Sequence, residues 1–181
     1  SDDWFLHVNY WDPHTPYRVP ENYGNPFEGE PLPEWLTDEV LEQHQHKVGP
    51  HSVHELGMYS GGDDPRFPRQ PGRISTRAEL QQFFDGYDCG IHYMDSHIGR
   101  VLDELQNQGV LEDTVVLITS DHGENLGEFG IYGEHGTADH VTCRIPMIVR
   151  WPGRTPGRRV DSLHYTLDLL PTLAELLGVE P

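Results

Sequence analysis

With 181 residues, 30 Asp and Glu against 12 Lys and Arg, and a formal charge of -18, the chain has room for one hydrophobic core and little attraction for polyanions. That balance argues against nucleic acid and anionic membrane surfaces as partners, and no run of 18 apolar residues could span a bilayer. Lys47 is the only lysine, so positive charge for an anionic ligand must come from arginine, a metal ion or the 12 histidines.

Trp4 to Tyr10 reads as a strand opening almost at the first residue, which implies preceding chain, with Asp2 and Asp3 as a solvated start. Residues 11 to 34 are Pro-rich and aperiodic, a long loop of the kind that carries function over a rigid scaffold. Trp35 to about Lys47 predicts a short helix, and residues 49 to 73, with Gly61-Gly62, a second irregular segment. Thr76 and Glu79 make a capping box for the clearest helix. Its Leu80, Phe84, Tyr87, Ile91, Met94, Ile98, Val101 and Leu105 recur three and four apart as a core face, Asp95 lies beside that stripe as a buried hydrogen-bond partner, and Gly109 stops the helix. Val115 to Ile118 suit a strand buried on both faces, residues 145 to 151 form another strand, the strand at 4 to 10 or that at 145 to 151 is expected beside 114 to 119 in one sheet, and Leu167 to Leu177 form a last helix capped by Gly178. Helix, strand, loop, strand, helix reads as one α/β unit with no linker to divide it. Cys89 and Cys143 are too few for a disulfide framework and are expected to be reduced and buried, which favours a cytoplasmic setting unless preceding chain carries a signal peptide.

The strand at 114 to 119 ends in Asp121-His122-Gly123. Glycine lets the chain turn at once and set a carboxylate and an imidazole beside one ion, whereas a continuing strand would send them to opposite faces. The competing reading is an Asx turn with His122 in solvent. His14 lies in Asp12-Pro13-His14-Thr15-Pro16, where flanking prolines restrict the backbone and aim the imidazole. His44, His46, His51 and His54 fit no compact zinc motif and read as a solvated helix end, while His92 and His97 on the long helix suit partial burial with one hydrogen bond. Arg144 could position an anion or make a strand-flanking salt bridge.

SDHGE at 120 to 124, GEHGT at 133 to 137, RIPMIVRWPG at 144 to 153 and LDLLPTLAELLGV at 167 to 179 occur in that order. FLHVNYWDPHTPY at 5 to 17 and YMDSHIGRVLDEL at 93 to 105 lie upstream. This series resembles the carboxyl-terminal part of the catalytic domain of the sulfatases and their close relatives the phosphonate monoester hydrolases, in the alkaline-phosphatase-like superfamily. Residues 18 to 75 match least and are where substrate specificity is expected.

The resemblance implies a partial alkaline-phosphatase-like α/β sheet packed by helices, with residues 1 to 181 as one fragment of a larger domain. It implies part of a metal-dependent sulfuric ester hydrolase acting on a small-molecule or saccharide sulfate. The alternatives are a phosphonate or phosphate ester hydrolase of the same superfamily and a non-catalytic anion-binding relative. Asp121 and His122 would hold a divalent cation, Ca2+ first, with Mn2+ or Zn2+ also compatible with a histidine ligand. His14 would face the sulfate or phosphonate. His135 stands where sulfatases of this type commonly carry lysine and would act on substrate as a general acid, with His140, oriented by Asp139, as a second substrate-facing candidate. The family's nucleophile, a formylglycine formed within Cys/Ser-x-Pro-x-Arg, and its first pair of metal-binding aspartates belong to an amino-terminal half. Neither occurs here, since Cys143-Arg144-Ile145-Pro146 has the wrong order, so the isolated chain is expected to be inactive. Oligomeric state stays open.

Overall fold

The capping box closes as its spacing predicts. The Glu79 amide donates to Thr76 Oγ1 at 3.2 Å, and the Thr76 amide donates to Glu79 Oε2 at 2.9 Å. Helix α2 then runs over Arg77–Asn107 and is left at Gly109, whose φ of 73 suits glycine. The structure, a computed structural model, describes residues 4–56, 63–154 and 157–179, so the expectations for Asp2-Asp3 and Gly61-Gly62 lie outside the described residues.

Only the first half of α2 is core. Leu80, Phe83, Phe84 and Cys89 are buried, whereas Ile91 is 40% exposed and none of Met94, Ile98, Val101 and Leu105 is buried. Beside that second half lies an open groove of about 650 Å³ lined in part by Leu6, Tyr10 and His97. The predicted stripe is present, but no described layer covers its far end. Asp95, expected to be buried, is exposed.

The remainder of the core comes from the segment without periodicity. Tyr17, Leu36, Leu41, Val53, Leu56 and Ile74 pack with Leu80, Phe83, Phe84 and Tyr132. Helix α1, Asp38–Gln45, is shorter than predicted and starts at Thr37, whose hydroxyl accepts from the Val40 amide. Elsewhere side chains satisfy the irregular backbone. Arg69 donates to the carbonyls of Val19, Pro20 and Gly24 at 3.0, 2.9 and 2.8 Å, and Gln45 Nε2 to that of Ile74 at 2.8 Å. Of the four histidines expected at a solvated helix end, His46 and His54 are exposed as expected, whereas His44 and His51 belong to this framework. His44 is buried with Nδ1 2.8 Å from the Tyr132 hydroxyl, His51 Nε2 lies 2.9 Å from Glu134 Oε2, and His54 Nε2 lies 2.9 Å from the Gln45 carbonyl. Helix ends look solvated in sequence because burial by a distant tyrosine leaves no local trace.

Strand β1, Val116–Thr119, pairs antiparallel with β4, Met147–Arg150, in the register Val116↔Arg150 to Thr119↔Met147. Strand β2, Asn125–Leu126, pairs antiparallel with β3, Tyr132–Glu134. A short helix α3, His140–Cys143, precedes β4, and α4, Leu169–Leu177, ends at Gly178 with φ 69, as predicted. The result is an α/β arrangement of helices and two small sheets. Two strand expectations fail. Residues 4 to 10 form no strand, with Phe5 86% exposed, because β-propensity makes a strand only where a neighbour accepts its hydrogen bonds. β1 is half-buried and Met147, Ile148 and Val149 of β4 are exposed, so the ribbon is not covered on both faces among the described residues. Cys143 is exposed and only Cys89 is buried; both are free. No described helix is long and apolar enough to cross a membrane.

Two glycines one turn apart dock the loop that carries His14. A Cβ on Gly90 would sit 2.8 Å from the Pro13 side chain, and one on Gly86 would enter the Tyr17 ring and lie 2.6 Å from the Arg69 carbonyl. Helix propensity alone would favour alanine by about 1 kcal/mol at such sites. We therefore expect Gly86→Ala and Gly90→Ala to destabilise the fold by about 1–3 kcal/mol in urea unfolding, because overpacking outweighs propensity. Gly99→Ala, where a Cβ meets nothing within 4 Å, should instead gain stability. Equal responses at all three positions would reject the docking.

Candidate functional site

β1 delivers the chain to Ser120-Asp121-His122-Gly123, and Gly123 sets the turn against α3. Its amide donates to the Thr142 carbonyl at 2.8 Å, and a Cβ there would strike the Val141 carbonyl oxygen. No other residue lets the two backbones approach so closely. Ser120 Oγ donates to the His122 carbonyl at 2.5 Å, and the His122 amide donates to Asp121 Oδ1 at 3.0 Å. The Gly123 amide that an Asx turn would use is given to Thr142 instead, so that turn does not form, and His122 is not turned away. Its Nε2 lies 3.7 Å from Asp121 Oδ1, with the Asp121 side chain 82% exposed and open to a ligand.

Three imidazoles converge here. His122 and His135 stack with ring centroids 4.0 Å apart and 11° between planes, and the His14 centroid lies 4.9 Å from that of His135 and 6.0 Å from that of His122. Nitrogens of all three fall within 4.8 Å of one another. The His14 turn is held by its amide, which donates to the Trp11 carbonyl at 2.9 Å, and by Trp11, whose ring centroid is 4.6 Å from the imidazole. Arg18 in turn lies over the Trp11 ring, 4.5 Å from its centroid. Thr15 meets β3 at Gly133, where an added Cβ would lie 3.2 Å from Thr15 Cγ2. That contact brings His14 beside the loop bearing His135.

Behind the histidines lies a polar layer of which the sequence analysis singled out only Asp139. Asn125 is fully buried and donates to Thr137 Oγ1 at 2.8 Å and to Asp139 Oδ2 at 3.1 Å. Asp139 also accepts from the Thr137 hydroxyl and the Val141 and Thr142 amides. The Thr137 hydroxyl, then Asn125 and the amides, hold its carboxyl down at about 2. It therefore caps α3 and does not orient His140. The His140 imidazole is exposed, outside the three-ring cluster, and has no hydrogen-bond or ring partner among the described residues. Arg144 is exposed and makes no ion pair among the described residues. Glu134 accepts from the His135 amide at 2.8 Å; burial would raise its pKa, but the Gly136 and His135 amides and the nearby His51 and His135 lower it overall.

Glu124 is buried under strong electrostatic stress. Its side chain is 4% exposed, Oε1 has no partner, Oε2 stands 3.7 Å from His135 Nδ1, and burial, then Glu134, pushes its pKa up to about 8. His135 moves the other way, lowered by burial and then by His122 and His14, so its ring is neutral at pH 7 in the free chain. The only signal for Glu124 in the sequence was its place after Asp121-His122-Gly123, since no periodicity marks a buried carboxylate in a loop.

A family model described as Sulfatase matches residues 1–179, and the chain belongs to that family. It is 27% identical over 97% of its length to a sulfatase of Formosa agariphila, 30% over 97% to the multifunctional alkaline phosphatase superfamily protein PehA of Trinickia caryophylli, and 31% over 97% to the choline-sulfatase of Rhizobium meliloti. It covers 32%, 34% and 32% of those proteins, about a third of their length. Among solved structures, the phosphonate monoester hydrolase SpPMH of Silicibacter pomeroyi superposes with a TM-score of 0.53 at 32% identity, over 59% of this chain and 21% of that one. The structure of BT4656 in complex with its substrate D-glucosamine-2-N,6-O-disulfate gives a TM-score of 0.53 at 30% identity, over 57% of this chain and 21% of that one.

The Glu124 shift fixes a pH dependence. Between its ordinary value of 4.5 and its folded value of about 8, the folded chain retains a proton that the unfolded chain releases. Its contribution is thus fully present below 4.5 and is lost as pH rises through about 8. Urea midpoints of the chain measured with a chelator should fall from pH 6 to pH 9 more steeply than those of Glu124→Gln, the difference isolating this group from His135. Parallel curves would place Glu124 in water.

Proposed function

We propose that the protein carrying residues 1 to 181 hydrolyses sulfate esters, with this segment supplying charge neutralisation and leaving-group assistance. The observation that carries the reading is the convergence of His14, His122 and His135 beside Asp121 at the end of β1. Named relatives include a choline-sulfatase and an iduronate 2-sulfatase, which supports a small-molecule or saccharide sulfate as substrate. A phosphonate or phosphate ester is the second reading, favoured by the likeness to SpPMH.

Moving a sulfuryl or phosphoryl group requires a nucleophile, neutral surroundings for the oxygens of the tetrahedral centre, and a proton for the departing oxygen. The donor set of Asp121 and His122, one exposed carboxylate and one imidazole 3.7 Å apart, fits part of a divalent-cation site, with Ca2+ the first choice and Mn2+ or Zn2+ compatible with the nitrogen. A cation there supplies positive charge beside the transferring group. His14, fixed with its Nδ1 proton on the Thr15 carbonyl at 2.5 Å, keeps its remaining nitrogen available to bind substrate. His135 is neutral in the free chain; an anionic substrate beside it favours the protonated ring, which then donates to the leaving oxygen. Turnover by residues 1 to 181 alone is not expected, since they hold no Cys/Ser-x-Pro-x-Arg motif.

Kinetics of variants separate the roles. Asp121→Ala should abolish nearly all turnover of an aryl sulfate, a loss of several kcal/mol in transition-state stabilisation. His14→Ala should lose about 2–3 kcal/mol and keep the metal bound. His135→Ala should harm alkyl or sugar sulfates far more than activated aryl sulfates, because only a poor leaving group needs the proton. Equal losses for both substrate types would remove His135 as the acid and turn attention to His140. A strong preference for aryl phosphonates over aryl sulfates would replace the first reading with the second.

A further inference from the structure

We infer that His14, His122 and His135 form a binding site for a borderline transition ion such as Zn2+ or Co2+, which shares only His122 with the hard-cation site on Asp121 and His122. Nitrogens of the three rings already lie within 4.8 Å of one another. Ligation at the Zn–N distance of 2.0–2.1 Å brings such nitrogens to about 3.3 Å apart, a closure within reach of side-chain rotation.

The hydrogen bonds select the ligating atoms. His14 Nδ1 lies 2.5 Å from the Thr15 carbonyl and His122 Nδ1 lies 2.9 Å from the Gly123 carbonyl. A carbonyl can only accept, so both Nδ1 atoms carry the proton and both Nε2 atoms present bare lone pairs. That is the arrangement in which metal-bound histidines are held, one nitrogen donating to a backbone carbonyl and the other facing the ion. Among the described residues no donor meets either Nε2, and His122 Nε2 instead faces a carboxylate oxygen at 3.7 Å. His135 completes the set: its buried Nδ1 has no hydrogen-bond partner and Glu124 stands 3.7 Å away, so no hydrogen bond holds the ring in its stack on His122 against rotation toward an ion.

Imidazole donors rank borderline ions above Ca2+, which prefers oxygen, so the two ion classes sort to different donors while sharing His122. If the proposed hydrolase reading holds, an ion on the three rings also occupies both substrate-facing histidines and excludes the oxyanion. The binding itself does not depend on that reading.

The test uses residues 1 to 181 with Co2+ as the probe, read by its visible ligand-field absorption, and Zn2+ as competitor. Co2+ should bind with an intense, low-symmetry spectrum that Zn2+ abolishes and equal Ca2+ does not. His14→Ala, His135→Ala and the milder His135→Asn should each weaken binding on the order of tenfold to a hundredfold, with circular dichroism unchanged. Asp121→Ala, His54→Ala and His140→Ala should retain it. A featureless octahedral spectrum, full affinity in His135→Ala, or loss in Asp121→Ala or His54→Ala would each overturn the assignment. Absence of sulfatase turnover would leave the Co2+ result untouched, so the two readings fail separately.

Discussion

The approach of Gly123 to the backbone of α3 is the contact on which the site depends. A strand end can aim Asp121 and His122, but His135 lies on a different segment and reaches them only because the Gly123 amide bonds the Thr142 carbonyl at 2.8 Å with no side chain between. Asp139 secures the other side of that contact by capping α3 while accepting from Asn125 and Thr137. Hydrogen bonds to an ionised carboxylate are stronger than neutral ones, which suits a group that must hold a loop without apolar packing.

Above this layer, the site is assembled from three rings, of which His14 and His122 have their tautomers set by backbone carbonyls. Below it, Glu124 is buried without a full complement of hydrogen bonds. Carboxyl and imidazole are driven toward their neutral forms together, Glu124 upward and His135 downward, because the same low-polarity surroundings penalise either charge. An arriving cation or anion changes that balance more than it would on an open surface, since the local dielectric screens it less.

The first half of the chain has a different physical character. Its core residues Tyr17, Val53, Leu56 and Ile74 come from irregular backbone whose carbonyls are met by Arg69, Gln45 and Arg77. Tyr132 joins this framework to the site: its hydroxyl meets His44, its carbonyl His51, and His51 pairs with Glu134 next to His135. The segment least regular in sequence is therefore tied by hydrogen bonds to the loop that bears His135.

Sequence alone determined the elements whose signals are local: the Thr76–Glu79 box and Gly109 stop of α2, the pairing candidates at 114 to 119 and 145 to 151, the Gly178 cap, and the turn at Asp121-His122-Gly123. It also singled out His14 and His135, because a stiffened loop and an ordered series of motifs are linear features. Tertiary structure decided the rest. Whether residues 4 to 10 pair, whether the far stripe of α2 is covered, whether His44 is solvated and whether Glu124 is buried all depend on which distant residue stands opposite. Periodicity encodes the shape of one element. Burial and proton affinity are properties of the space between elements, and no single stretch of sequence contains that space.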